Sequence, residues 1–298
     1  MTIDKYSFIT VKRLAPLFDY TLRISYSRTE LVNSIDHIEH PAVRECLRFL
    51  NLNQGLEIHY VGDLPARTGL GSSSSFTVGL LNALHVFRGD HVSKLRLAEE
   101  AVHVEQKMIR ERVGVQDQYT CAQGGLVQLE FGTDGRVSAR PVPLRAERAA
   151  EFQAHLMLFY TGIQRSAHEV IEEQLEQTRV GALTESLNCL SEMASEGIEI
   201  LVGPHPVTRF GVLLHRAWML KRGFSRRTTS AVIDGYYQKA LAAGAAGGKL
   251  LGAGGGGFLL LLADPTAQPN IRAALADLTQ VPFSFERTGT SVLFYHPE

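Results

Sequence analysis

The sequence predicts a two-domain protein that mixes helices and strands, and three features lead to that prediction. The chain has 298 residues, more than one domain usually contains. Strand-like alternation and helix-like spacing follow each other along both halves of the chain. A polar and charged stretch, "PVPLRAERAAEF", separates the halves. We therefore expect one domain over residues 1–150 and a second over residues 151–298.

The first domain is predicted to open with strands. The stretches "YSFITVK" and "LRISYS" alternate apolar and polar residues, and the segment between them contains proline and aspartate, so we expect a hairpin. The stretch "PAVRECLRFLN" has the spacing of a helix. The stretch "GLEIHYV" is typical of a short strand.

Two longer helices should follow. The first is predicted from Ser72 to near Gly89, and the second from a cap at Ser93 to about Arg110, after which the chain returns to strand. The apolar residues that recur at helical intervals in the first of these helices are Phe76, Leu80, Leu84 and Phe87.

The second domain is predicted to begin with the apolar strand "HLMLFY" and to continue through long helical patterns. Near its end lie the glycine-rich stretch "KLLGAGGGGF" and a final strand near "TSVLFYH".

Composition excludes several classes of protein. The formal net charge of -1 offers no overall attraction to nucleic acid or to an anionic membrane, so we expect neither as a partner. The three cysteines are too few and too far apart for a disulfide framework or a structural zinc site. The first residues do not resemble a signal peptide, and the most apolar run, Phe258–Ala263, is too short to span a bilayer. We therefore expect a cytoplasmic protein.

The stretch "PARTGLGSSSS" leads directly into the helix that starts at Ser72. Gly69 and Gly71 allow backbone N–H groups to approach a ligand, and the helix start adds unpaired donors and the positive end of its dipole. Together they favour an anion site, most naturally for phosphates. The alternative is a Gly-Ser turn with a serine cap, although one cap needs only one hydroxyl. The stretch is neither a Walker sequence nor a complete dinucleotide fingerprint.

Glu105 lies in the middle of an apolar stripe of the second helix, formed by Ala98, Ala101, Val102 and Ile109. A carboxylate at this position should be buried, and an ionised buried carboxylate requires an arginine or a metal ion as partner. A structural salt bridge is one interpretation. The other is a Mg²⁺ site, because one carboxylate and one hydroxyl, completed by waters and phosphate oxygens, suit that ion.

Asp117 lies in the apolar and amide-rich stretch "VGVQDQY". Taken alone it could be an ordinary turn residue. Beside an anion loop and a magnesium carboxylate, it would supply the group that orients and deprotonates an acceptor hydroxyl in phosphoryl transfer.

Two further groups of residues leave alternatives open. The glycine run Gly252–Gly257 indicates a very close approach of the backbone to a ligand or to another loop, or only a flexible turn. A basic set is either a solvated helix face or an anion site; it consists of Lys221, Arg222, Arg226 and Arg227.

These motifs resemble those of the GHMP kinase superfamily, which includes galactokinases, homoserine kinases and mevalonate kinases. Two of the three motifs of that family are present, the phosphate loop "PARTGLGSSSS" and the C-terminal "KLLGAGGGGF". The resemblance covers essentially the whole chain. It implies an α+β fold, with an N-terminal domain related to a ribosomal-protein fold and a ferredoxin-like C-terminal domain, and it implies ATP and Mg²⁺ as cofactors.

The resemblance also implies roles for individual residues. Ser73 and Glu105 would hold Mg²⁺, and Asp117 would be the catalytic base that contacts the acceptor. The residues implied in nucleotide binding are Pro65, Gly69, Leu70, Gly71, Ser72, Ser73, Ser74, Gly254 and Gly255.

Within the superfamily, the stretches "TIDKY", "APLFDY", "LAEEAVHVE" and "VGVQDQY" are most similar to those of heptose 7-phosphate kinases. The implied activity is transfer of the γ-phosphate of ATP to the anomeric hydroxyl of a heptose 7-phosphate. A kinase for another sugar, such as fucose or galactose, and a non-catalytic homologue that binds sugar or ATP are the alternatives. If the acceptor is already phosphorylated, Arg165 or the basic set is expected to bind its phosphate.

The first motif of the family, a Gly-rich segment ahead of the "TIDKY" strand, is not found in this chain. We expect the edge that this segment would cover, at the strand beginning at Ile3, to be exposed. An exposed edge favours self-association into a homodimer, and an incomplete acceptor site should bind sugar weakly.

Overall fold

The computed structural model describes residues 1–53, 55–65, 68–163 and 167–296. Its mixture of helices and sheets confirms the α+β class. The chain divides into two compact units, and their segments are Met1–Ala66, Gly71–Pro141 and Phe285–Glu298 for the first and Arg67–Leu70 and Val142–Ser284 for the second. The boundary predicted at residue 150 lies within the first helix of the second unit, α5 (Ala146–His155).

A four-stranded sheet forms the base of the first unit, and its strands are β2 (Ser7–Arg13), β3 (Leu22–Ser25), β4 (Thr29–Val32) and β5 (Leu56–Gly62). Their order is β2-β5-β3-β4, with β5 antiparallel to β2 and parallel to β3. The predicted hairpin of β2 and β3 is therefore wrong, because β5 lies between them. Leu56 and Ile58 of β5 are almost fully buried, which favours an interior place for this strand. A separate hairpin consists of β6 (Val127–Phe131) and β7 (Val137–Pro141).

The helices of the first unit are α1 (Pro41–Phe49), α2 (Ser72–Phe87), α3 (Lys94–His103) and α4 (Gln116–Gln123). The predictions of α1 and α2 are confirmed. The apolar face predicted for α2 packs into the core, where Leu80 and Leu84 are fully buried. The predicted cap of α3 is also confirmed, since the Ser93 hydroxyl accepts a hydrogen bond from the backbone N–H of Arg96 at 3.2 Å.

The helix predicted to run to Arg110 changes its hydrogen bonding before that residue. The α-helix ends at His103 and continues as a π turn, Val104–Met108, in which the N–H of Ile109 donates to the carbonyl of Val104. Arg110 then adopts a φ of +64°, which ends the element. Glu105 lies in this π turn, a type of distortion that is frequent at functional sites.

The first and last segments of the first unit pair with each other through two short strands. In β1 (Thr2–Ile3), Ile3 pairs with Phe285 of β12 (Phe285–Glu286), so the segment expected to have an exposed edge has a partner strand. The final strand predicted near "TSVLFYH" is wrong, because residues 287–296 contain no strand. The N–H of Thr290 instead donates to the carbonyl of Cys121, and the apolar side chains of residues 292–295 are exposed.

The second unit contains an antiparallel sheet whose strands, in spatial order, are β11 (Thr279–Gln280), β8 (Leu156–Tyr160), β10 (Phe258–Ala263) and β9 (Ala245–Leu250). The strand predicted at "HLMLFY" is thus confirmed as β8. Trp218 and Tyr237 pack with the strands in the core of this unit. Its helices after α5 are α6 (Ala167–Arg179), α7 (Thr184–Val202), α8 (Thr208–Arg222), α9 (Ala231–Ala242) and α10 (Gln268–Ala274). Across the described residues, every helix is too short or too polar to cross a bilayer.

Candidate active site

The start of α2 is the first part of the candidate site. Its N-cap residue is Gly71, whose φ of +69° suits glycine and which has no side chain to cap the helix. The alternative of a serine cap is therefore wrong, since the serines lie inside the helix. Ser73 is exposed, whereas Ser74 is buried. The N-terminus of a helix with this geometry favours an anion such as phosphate.

Asp117 lies against this helix start. A Cβ atom added to Gly71 would be 3.2 Å from Cγ and 3.3 Å from Oδ2 of Asp117, so the carboxyl group packs directly on the glycine. Asp117 belongs to the first turn of α4, and its side chain is exposed. The first unit thus brings a carboxylate to the point where the helix would receive an anion.

Glu105 is buried as predicted, with 1% of its surface exposed. The Ser74 hydroxyl donates to its Oε2 at 3.1 Å, and Nε2 of Gln118 donates to the same oxygen. The Thr77 hydroxyl also lies near the Glu105 carboxylate and donates to the backbone carbonyl of Ser73 at 3.2 Å. Burial is the main cause and raises the pKa of the Glu105 carboxyl above its ordinary value, although the neighbouring polar side chains of Thr77, Gln118 and Ser74 lower it.

The salt-bridge interpretation of Glu105 is not supported within the described part of the chain, where this carboxylate forms no ion pair. Its Oε1 atom is buried without a hydrogen-bond donor. A bare buried carboxylate oxygen fits a hard cation such as Mg²⁺, which typically takes one or two carboxylates and leaves the remaining positions to water and phosphate. The described residues contain no group of three or more His, Cys, Asp or Glu side chains able to hold a metal.

The glycine-rich run of the second unit packs on another loop, which is one of the alternatives left open by the sequence. A Cβ added to Gly252 would be 2.6 Å from the Cα of Gly69, and one added to Gly257 would overlap the carbonyl oxygen of Thr68. Residues 68–69 belong to the predicted phosphate loop. The absence of side chains in the glycine run therefore lets two backbone segments lie in contact.

Gly254 and Gly255, which were predicted to bind nucleotide, contact the loop that joins α8 and α9. The N–H of Gly255 donates to the carbonyl of Thr228 at 2.9 Å, and a Cβ on Gly254 would be 2.5 Å from the same oxygen. Gln174 of α6 also reaches this contact, donating to the Thr228 hydroxyl at 3.3 Å and to the carbonyl of Ala253 at 3.4 Å.

The basic set divides into two parts. Lys221 and Arg222 end α8, where Lys221 donates to the carbonyl of Gly252 at 2.5 Å and Arg222 forms an ion pair with Asp234 at 2.7 Å. Arg226 and Arg227 lie in the loop after α8, so the interpretation of one solvated helix face is wrong for them. Both are exposed, two residues or fewer from Thr228.

The loop that contains these two arginines is fixed by α6. Glu173 accepts hydrogen bonds from the Ser225 hydroxyl at 2.6 Å and from the backbone N–H of Arg226 at 3.2 Å. These bonds hold the pKa of the Glu173 carboxyl below its usual value, with the Ser225 bond as the main cause. Two cations therefore lie on an anchored loop in contact with the glycine run.

The other residues predicted to bind nucleotide differ in their exposure. Pro65 and Gly69 are exposed, and Leu70 and Ser72 are half-buried. Arg165 lies outside the described residues. Sequence reasoning missed Gln118, which is fully buried and donates to Glu105. Its signal was available, since an amide beside Asp117 in an otherwise apolar stretch also requires a polar partner.

Two family models match the chain. The model of the GHMP kinases N terminal domain matches residues 34–125, and the model of the GHMP kinases C terminal domain matches residues 205–278. Together they account for more than half of the chain.

Similar proteins include sugar kinases. A D-glycero-alpha-D-manno-heptose 7-phosphate kinase of Campylobacter jejuni is 29% identical over 168 residues, which cover 55% of this chain and 48% of that protein. An L-fucokinase/L-fucose-1-P guanylyltransferase of Bacteroides fragilis is 29% identical over 188 residues, covering 60% of this chain and 20% of that protein. This chain thus spans about half the length of the first relative and a fifth of the second.

The fold is shared with a solved D-glycero-D-manno-heptose 1-phosphate kinase of Bacteroides thetaiotaomicron. The two structures superimpose with a TM-score of 0.73 at 22% sequence identity, over 96% of this chain and 86% of the other. With both family models matched in the expected order and the fold in agreement, the chain belongs to the GHMP kinase family.

Proposed function

We propose that this protein is an ATP- and Mg²⁺-dependent sugar kinase that acts in the cytoplasm on a heptose 7-phosphate. The observation that carries the proposal is the pair formed by Gly71 and Asp117, a carboxylate packed on the glycine start of a helix. Phosphoryl transfer to an alcohol requires an anion site for the phosphates and a group that accepts the proton of the acceptor. This pair supplies both.

In the proposed reaction, residues of the phosphate loop and the start of α2 bind the triphosphate through backbone N–H groups. Asp117 orients the anomeric hydroxyl and accepts its proton as the oxygen forms a bond to the γ-phosphorus. The bond from that phosphorus to the β,γ-bridging oxygen breaks, and ADP leaves. Ser73 and Glu105 would hold Mg²⁺, which when bound would neutralise charge on the phosphate oxygens.

The acceptor is proposed to be phosphorylated already. Support comes from the similarity to the Campylobacter kinase and from Arg226 and Arg227, which are exposed on the anchored loop beside Gly254 and Gly255. Guanidinium groups bind phosphate in a bidentate manner. Arg165 remains a predicted contributor.

Self-association into a homodimer also remains a proposal. Within the described residues, β2 lies at the edge of its sheet, and the Phe8 side chain on this strand is 44% exposed. An edge strand with an exposed aromatic side chain can pair with a second copy. Light scattering as a function of concentration would test this.

The kinase proposal is tested by sugar-dependent release of ADP from ATP and Mg²⁺. The acceptors should include heptose 7-phosphate, the same heptose without phosphate, fucose and galactose, with Asp117→Asn as the inactive control. We expect heptose 7-phosphate to be used best and its product to carry a new anomeric phosphate by ³¹P NMR. Faster turnover of fucose or galactose would favour the other sugar kinases, and ATP binding without turnover of any sugar would favour a non-catalytic homologue.

A further inference from the structure

Among the described residues, one oxygen of the Glu105 carboxylate receives two hydrogen bonds and the other receives none. Ser74 of α2 and Gln118 of α4 both donate to Oε2, so side chains from two helices converge on the π turn that contains Glu105. Oε1 is buried without a donor. The described side chains thus fix the orientation of the carboxylate through one oxygen and leave the other available.

The side-chain carbonyl oxygen of Gln118 resembles Oε1 of Glu105, because it also lacks a hydrogen-bond donor in the described structure. Gln118 has no exposed surface, and no residue that the structure describes donates to its buried Oε1. An unsatisfied buried acceptor is costly, so one such oxygen on each of two residues that are hydrogen-bonded to each other favours an occupant that neutralises both. A divalent cation meets this need, because carboxylate and amide oxygens are ligands that Mg²⁺ and Mn²⁺ accept.

We propose that Gln118 is a positioning residue of the cation site. Its amide N–H holds Oε2 of Glu105 so that Oε1 is directed to the cation, and its own Oε1 adds a neutral oxygen to the site. The inference rests on the Mg²⁺ site of the proposed function and extends it to a residue to which neither the family resemblance nor the matched relatives assign a role.

The test measures binding of Mn²⁺ alone, without nucleotide or sugar, from the EPR signal of the unbound ion. Gln118→Met keeps the length of the side chain and removes both polar atoms. Gln116→Met is the matched control, since Gln116 is an exposed residue of the same helix. We expect Gln118→Met to weaken Mn²⁺ binding by about tenfold or more, as for other residues that orient metal ligands. Gln116→Met should bind as the wild type does, and Glu105→Gln should weaken binding at least as much as Gln118→Met.

Thermal unfolding separates this role from a structural one. In EDTA, Gln118→Met should unfold close to the wild-type temperature, but Mn²⁺ should raise its unfolding temperature less than it raises that of the wild type. Gln118→Asn, which withdraws both polar atoms by one methylene, should show the same loss if Gln118→Met does not fold.

Two results would overturn the inference. A folded Gln118 variant with wild-type Mn²⁺ affinity would remove Gln118 from the site while leaving Glu105 in it. A wild-type protein that does not bind Mn²⁺ would indicate that a buried water, which can donate to both oxygens, occupies the cluster. Because no substrate is present, either result is distinguishable from a failure of the proposed sugar kinase activity.

Discussion

The contact of the glycine run with the phosphate loop should be sensitive to a single methyl group. Gly252→Ala places a Cβ 2.6 Å from the Cα of Gly69, whereas packed carbon atoms stay about 3.5–4.0 Å apart. The two backbone segments must therefore separate by about 1 Å. The matched control is Gly181→Ala, because Gly181 has a similar positive φ, +76° against +67°, and its nearest atom to an added Cβ is 3.8 Å away.

The expected magnitudes follow from this difference. Alanine at a left-handed φ costs about 1–2 kcal/mol at either position. Overpacking at Gly252 adds roughly 1 kcal/mol, at the low end of the usual range, because the residue is exposed and the loop can yield. The displacement falls on Gly69 of the predicted phosphate loop, so nucleotide binding should fall as well, because each hydrogen bond lost to a charged phosphate costs about 1.5–3 kcal/mol.

The assay compares both variants with the wild type by denaturant unfolding and by calorimetric titration with ATP and Mg²⁺. We expect Gly252→Ala to lose most of its ATP affinity, and Gly181→Ala to keep it despite a similar loss of stability. If Gly252→Ala binds ATP as well as Gly181→Ala does, the contact does not position the phosphate loop and the reasoning is refuted.

Three other predictions concern individual side chains. Asp117→Asn should lower turnover by about two to four orders of magnitude while ATP affinity by calorimetry stays unchanged, as expected for a base; retained turnover would exclude that role. Arg226→Ala should raise the KM for a phosphorylated sugar by about tenfold or more in a steady-state assay, because it removes a hydrogen bond to a charged group. The KM for the unphosphorylated sugar should not change. Equal effects on both sugars would contradict a phosphate contact. Burial, assisted by neighbouring carboxylates, raises the pKa of Cys121 to about 12, so iodoacetamide at pH 8 should label the exposed Cys189 and leave Cys121 unmodified in peptide mass spectra.

Several features of the candidate site could be predicted because they depend on neighbours in the sequence. Helical spacing after Ser72 located α2, and the apolar stripe around Glu105 was sufficient to predict its burial. The sequence singled out Gly69 and Gly71 because glycine lets the backbone approach other groups closely, and in the structure both have a positive φ that suits glycine.

Other predictions failed where the outcome depends on a distant partner. The alternation in residues 290–296 is typical of a strand, but a strand also requires a neighbour to pair with, and these residues have none in the described structure. The hairpin of β2 and β3 was predicted from their alternation and from the proline and aspartate between them, whereas the more buried β5 occupies the place between the two strands.

The sequence by itself determined the class of the protein, the glycine-bearing start of α2 and the need of Glu105 for a partner, because periodicity, glycine conformation and the cost of a buried charge are local properties. Only the tertiary structure decided that the partners are Ser74 and Gln118 and that Gly252 rests on Gly69. These contacts join segments 31, 13 and more than 180 residues apart. Their geometry depends on how the elements pack, which a local pattern does not specify.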